Sequence, residues 1–265
     1  MLKTTLLPVS LNEKHQHLAD LGAYIRNLRT EKVYVCHIVE GDDKKEKVKK
    51  RLQEVANIVE EQGLSTEIVI RKGNVAEQVC RLANDYSVDF ISIKWRNKNV
   101  IRRSILGSPD ADILRMCDIP TLIYKTRPLL ESGSNLKSLL YATDFKETDS
   151  KVLPYLLETP VEVDTLYLLN VRDRAPDPET DKYKLELVTS KLEQLSQQCL
   201  KNYKKVETLI AIGSVRYQIP WQARKNQVDL IVIGKRDKVR PMEKIIGSTA
   251  ESLPYRSHCP VLIIS

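Results

Sequence analysis

Short apolar runs alternate along the whole chain with longer stretches in which apolar residues return every three or four positions. Short continuous runs suit strands buried on both faces, whereas a 3.6-residue return suits a helix with one buried stripe. In the first half the pattern predicts strands near residues 3–9, 33–39, 66–71, 89–94 and 121–125, with helices between them. The clearest helix covers about 44–62, where Val48, Leu52, Val55 and Val59 form one stripe and Lys44 to Lys50 supply the solvated face. In the second half Leu185, Val188, Leu192, Leu195 and Cys199 repeat that stripe. Strand and helix in strict alternation are the mark of β-α-β units and a parallel sheet, so the fold class is α/β.

The pattern is written twice. Ser87-Val88-Asp89-Phe90-Ile91-Ser92-Ile93-Lys94 aligns with Gln227-Val228-Asp229-Leu230-Ile231-Val232-Ile233-Gly234 at an offset of 140. The same offset carries Gly73 onto Gly213, Gly107-Ser108 onto Gly247-Ser248, and Pro120 onto Pro260. Near the start the offset is 134, matching Leu6 to Ser10 with Leu140 to Asp144. A fixed period of this length means two copies of one domain, residues 1–127 and 136–265, joined by the polar, turn-rich stretch Arg127-Pro128 to Asn135. Within each copy a turn opens the third helix. Gly73-Asn74 with Glu77 reads as a capping box, while its counterpart after Gly213-Ser214 contains Pro220, which should kink or restart the helix.

The fourth strand of the second copy runs into Gly234, then Asp237 three residues on, then Gly247-Ser248-Thr249 at the start of a helix. Open α/β sheets hold ligands at this carboxyl edge, where glycine admits close approach to phosphate and a helix start offers free backbone N–H groups. The arrangement resembles the universal stress protein family, whose ATP-binding members carry Gly, two residues, Gly, nine residues, then Gly with Ser or Thr. The resemblance covers both copies. It implies two tandem open parallel-sheet domains of the adenine-nucleotide alpha-hydrolase-like, Rossmann-like type, paired through their closing strands as a pseudo-dimer. It also implies an ATP site in the second copy, with Asp144 and Val171 on the base side and Gly234, Gly247, Ser248 and Thr249 on the ribose and phosphate side. Asp237 replaces the second glycine. In the first copy Lys94, Asn97 and Ser10 stand where two glycines and the aspartate belong, and Pro109 subtracts an N–H, so that copy is expected to be a scaffold.

Composition narrows the function. The net charge of +7 divides into +5 for residues 1–130 and +2 for residues 131–265, without the basic bias of a nucleic-acid binder. No stretch approaches the roughly 20 apolar residues of a membrane span, and the N-terminus reads as a first strand rather than a secretory signal. Five scattered cysteines, Cys36, Cys80, Cys117, Cys199 and Cys259, point to buried thiols in a reducing cytoplasm rather than a disulfide framework or zinc site. His15, His17, His37 and His258 lack companions for metal or acid–base chemistry, and Trp95 and Trp221 are expected in the core. Basic residues crowd both loops, Lys94 to Arg103 and Lys235 to Lys244, mainly as solvated surface. No Walker loop, nucleophile elbow or zinc-protease helix is present, so the expectation is no enzyme and no metal. What remains is a stress-response module with an adenine nucleotide in the second copy, an unknown protein partner and a possible further homodimer. A ligand-free interaction scaffold is the alternative.

Overall fold

A computed structural model describes residues 1–39, 45–95, 109–125, 135–158, 161–236 and 248–265, with Lys45 and Ser248 described by their backbone alone. These residues fall into two compact units, one up to Lys125 and one from Asn135 onward. The first unit runs β1 (Thr4–Pro8), α1 (His15–Asn27), β2 (Lys32–Val39), α2 (Lys45–Glu60), β3 (Ser65–Lys72), α3 (Val75–Asp85), β4 (Phe90–Lys94), α4 (Pro109–Met116) and β5 (Thr121–Tyr124). The second runs β6 (Ser138–Ala142), α5 (Asp149–Leu157), β7 (Thr165–Arg172), α6 (Pro178–Cys199), β8 (Lys205–Ile212), α7 (Val215–Lys225), β9 (Leu230–Gly234), α8 (Ser248–Arg256) and β10 (Val261–Ile264).

Each unit has one open parallel sheet. The strand order is β3-β2-β1-β4-β5 in the first and β8-β7-β6-β9-β10 in the second. Strands β4, β5, β9 and β10 are almost wholly buried, which is why they read as mostly apolar runs. Strands β3 and β8 are half-buried or exposed along nearly their whole length and carry the polar residues of the pattern. Leu6, Leu7, Phe90 and Ile91 are wholly buried in the first unit, as Leu139, Leu140, Leu230 and Ile231 are in the second. Each such side chain is worth about 1.5–3 kcal/mol of transfer free energy.

The repeated Val-Asp pair has a structural explanation. Asp89 Oδ2 accepts from Thr4 N at 2.9 Å and from Thr4 Oγ1 at 3.1 Å, so it ties the start of β1 to the start of β4. Asp229 Oδ2 does the same for β6, accepting from Lys137 N at 2.8 Å and Ser138 N at 3.0 Å. In both units the carboxylate closes the amino edge of the sheet, satisfying strand-end N–H groups that would otherwise need water.

Four expectations need correction. Cys80 on α3 and Cys117 just after α4 form a disulfide with a Cα–Cα distance of 5.3 Å, because the fold packs α3 against α4. Trp221 is 55% exposed, since the buried stripe of α7 is Ile219, Pro220, Gln222 and Ala223 and leaves it on the opposite side; Trp95 is buried as expected. Pro220 does not restart α7, which runs on for five more residues. Leu185 is 39% exposed because α6 is 22 residues long and only its later part, Leu192, Leu195 and Cys199, reaches the core. Half of the expected capping box on α3 forms: Asn74 Oδ1 accepts from Glu77 N at 3.1 Å, whereas the Glu77 carboxylate pairs with Arg81. Among the described residues no helix is long and apolar enough to cross a membrane.

Candidate functional site

In an open parallel sheet the connections leave in opposite directions on either side of the first strand, and a crevice opens at the carboxyl ends there. In the second unit that point lies between β6 and β9, and a cleft of about 170 Å³ opens at it. Its walls come from the ends of β6, β7 and β9 and from the first turns of α7 and α8. Asp144, Val171, Gly234 and Thr249, four of the six residues marked in the sequence, line it. Gly247 lies outside the described residues, as do Asp237, Asn97 and Gly107-Ser108; Ser248 is described only as the first residue of α8. The basic stretches Arg96 to Arg103 and Lys238 to Lys244 also lie outside them.

Asp144 stands just beyond β6 on a tight turn. Phe145, with φ of 55°, takes the left-handed conformation that a bulky residue rarely adopts. Local hydrogen bonds hold it there: Phe145 N donates to Thr143 Oγ1 at 2.8 Å, and Thr143 Oγ1 donates to Asp149 Oδ2 at 2.7 Å. Tyr141 Oη donates to Asp149 Oδ1 at 2.7 Å. Burial, and then the Asp149 carboxylate beside it, push the Tyr141 hydroxyl well above the usual tyrosine range, so it remains a donor. The Asp144 carboxylate faces two cations, Arg236 at 3.5 Å and Lys146 at 3.8 Å, and its side chain is 38% exposed.

Beside it, Asn170 Nδ2 donates to the Thr143 carbonyl at 2.9 Å, while the buried Asn170 Oδ1 has no protein partner among the described residues. In the sequence Asn170 is masked by the apolar strand end in which it lies, Leu168-Leu169-Asn170-Val171. Its counterpart is His37, which lies within β2 and bonds the Val9 carbonyl through Nδ1 at 2.9 Å. The two polar residues do one job, tying the second strand to the end of the first. Their shared place in the repeat is the signal that finds them.

Gly234 is glycine for a local reason. A Cβ there would lie 2.5 Å from Thr148 Cβ, so the residue before α5 packs directly on the strand end. In the first unit Lys94 takes the equivalent place, and its ammonium pairs with the carboxylate of Glu13, which is 7% exposed. Ser10, at the position equivalent to Asp144, donates to Glu13 Oε1 at 3.2 Å, and Arg51 Nε donates to the Leu11 carbonyl at 3.1 Å. The ion pair across this strand end is buried in the first unit and exposed, beside the cleft, in the second.

The residues present suit a flat, partly polar ligand. Leu169, Val171, Ile219 and Ile233 offer apolar walls, Asp144 offers an acceptor, and Arg236 and the start of α8 offer positive charge.

The comparisons agree with this architecture. The model of the universal stress protein family matches residues 1–125 and again residues 135–265. Two universal stress proteins of Methanocaldococcus jannaschii are 27% identical over 154 residues (53% of this chain, 89% of the relative) and 26% identical over 152 residues (48% and 94%). A universal stress protein of Archaeoglobus fulgidus superposes with a TM-score of 0.73 at 21% identity, covering 99% of this chain and 96% of that one. A protein of Pseudomonas aeruginosa gives 0.70 at 15% identity, covering 99% and 92%. At such identities the two solved structures speak to fold alone. The family model, matched once by each of the two open sheets, speaks to descent: the chain belongs to the universal stress protein family and carries its domain twice.

Proposed function

We propose that the chain is a regulatory, stress-responsive binding module rather than an enzyme, and that its second domain holds an adenine nucleotide at the carboxyl ends of β6, β7 and β9. The observation that carries this reading is convergence: Asp144, Val171, Gly234 and Thr249 lie on four separate segments and line one cleft. Size selects what enters. At about 170 Å³ the cleft is smaller than the roughly 300 Å³ at which pockets for drug-sized ligands begin, so the proposed fit puts the base inside it and the phosphates at its mouth. The base would rest between Val171 and Ile219 with an amino group toward Asp144. The phosphates would meet Arg236 and the amino end of α8, where unpaired backbone N–H groups favour anions. The first domain, bridged by Lys94 and Glu13, serves as scaffold, and the proposed setting is the cytoplasm.

One contact favours a second reading. Asp144 already faces Arg236 and Lys146, and a chain that keeps those pairs would be a ligand-free interaction scaffold. Calorimetry with ATP and magnesium separates the two. Saturable binding near one equivalent, lost on Val171→Trp and weakened by Asp144→Ala, supports the nucleotide module. No heat at millimolar ATP from folded protein supports the scaffold.

A further inference from the structure

The repeat supplies an internal control for the exposed face of α7. Its counterpart is α3, at an offset of 140, and there the solvated face carries Glu77 and Arg81, ion-paired at 2.6 Å. At those two places α7 carries Tyr217 and Trp221, one turn apart and 59% and 55% exposed. Two large aromatics side by side on a solvated helix face leave apolar area uncovered, where the first unit has a water-compatible ion pair.

The charge around them is one-sided. No carboxylate occurs between Glu207 and Asp229, while Arg216, Arg224 and Lys225 stand exposed on α7. Arg256, at the end of the neighbouring α8, places its guanidinium 4.3 Å from the Tyr217 ring centre, and Lys225 lies 5.2 Å from that of Trp221. The acid on α8, Glu251, sits in its first turn, at the other end of the helix from Arg256. One face of each ring is thus taken by a cation, while both residues stay more than half exposed. Trp, Tyr and Arg are the residues that most often carry protein-binding energy.

We propose that this face of α7, Tyr217 and Trp221 within the ring of Arg216, Arg224, Lys225 and Arg256, docks a short acidic segment of a partner protein. The partner's carboxylates would pair with the cations, and its apolar side chains would cover the two rings. A nucleic acid fits less well, because the second domain as a whole is only weakly basic. The proposal does not rest on the nucleotide reading.

The test uses the full chain and a fluorescently labelled synthetic peptide in which glutamate alternates with leucine and phenylalanine, followed by anisotropy. The expected result is saturable binding that weakens with added salt and falls at least tenfold in the double variant Tyr217→Glu, Trp221→Arg. That variant restores the ion pair of α3 and should fold; circular dichroism checks that it does. A second variant, Lys225→Gln with Arg256→Gln, keeps the aromatics and should weaken binding through charge alone. Absence of saturable binding, equal binding by the double variant, equal binding of the lysine-for-glutamate peptide, or competition by oligothymidylate at similar concentration would each overturn the proposal.

Discussion

Lys94, at the end of β4, pairs through its ammonium with the carboxylate of Glu13, which lies just before α1 and is almost wholly buried. Breaking a buried pair from one side leaves a desolvated charge behind, at a cost of about 3 kcal/mol for a pair of this depth. Lys94→Ala should therefore lower the unfolding temperature markedly, and Lys94→Met with Glu13→Gln should recover much of the loss. Calorimetric unfolding of the three chains checks this. Equal stability of the single and double variants would mean that the unpaired Glu13 charge carries no penalty.

Gly234 offers a packing prediction. Because an added Cβ meets the Thr148 side chain at 2.5 Å, Gly234→Ala should cost about 1–3 kcal/mol through overpacking. Thr148→Gly removes the atoms in the way, so the double variant should lose less than the two single costs together. Additive costs in denaturant titrations would show that the strand end can shift without strain.

Acid should be felt at Arg172 and Asp181. The guanidinium contacts the carboxylate through two bonds, at 2.6 and 3.0 Å, and Ala175 N adds a third at 2.8 Å. Arg172, followed by the Ala175 N–H, holds the Asp181 carboxyl well below the usual carboxylate range. A depressed folded pKa contributes stability that is complete above the unfolded value of about 3.9 and is lost as pH falls through the folded one. Asp181→Asn should therefore flatten the fall in stability below about pH 4 and lower stability at neutral pH. An unchanged acid limb would count against the assignment.

The Cys80–Cys117 bridge closes a loop of 37 residues, and cross-links of that size are worth about 2–4 kcal/mol. Dithiothreitol should lower the unfolding temperature of the unaltered chain and leave Cys80→Ser, already lowered, where it is. Cys36 and Cys199 should stay slow toward thiol reagents in the folded protein. Burial pushes the Cys199 thiol up to about 11 and the Cys36 thiol higher still.

The sequence is readable where one element decides its own structure. Strands appear as apolar runs, and α3 announces its start through Asn74. Residues set by neighbouring elements are harder to read. The bridge depends on α3 lying against α4, which no local motif around Cys80 or Cys117 encodes. Trp221 looks like core by residue type alone, yet its counterpart Arg81 belongs on a solvated face, so the repeat holds the information that composition hides. Pro220 breaks a helix in isolation, but Ile219 and Ala223 are packed on either side of it and carry α7 through. At the site, Asp144 and Thr249 can be placed by motif spacing. Asn170 cannot, because its role depends on the carbonyl of a neighbouring strand.

Asp89 and Asp229 fasten the amino edge of each sheet in the same way, whereas the opposite edge differs between the two units at Lys94 and Gly234. Assembly of the sheet and the chemistry at its rim are thereby assigned to opposite ends of the same strands. A chimaera that exchanges only the carboxyl-edge residues between the two copies should keep both sheets intact, with the exposed rim moved to the first domain and the buried pair to the second.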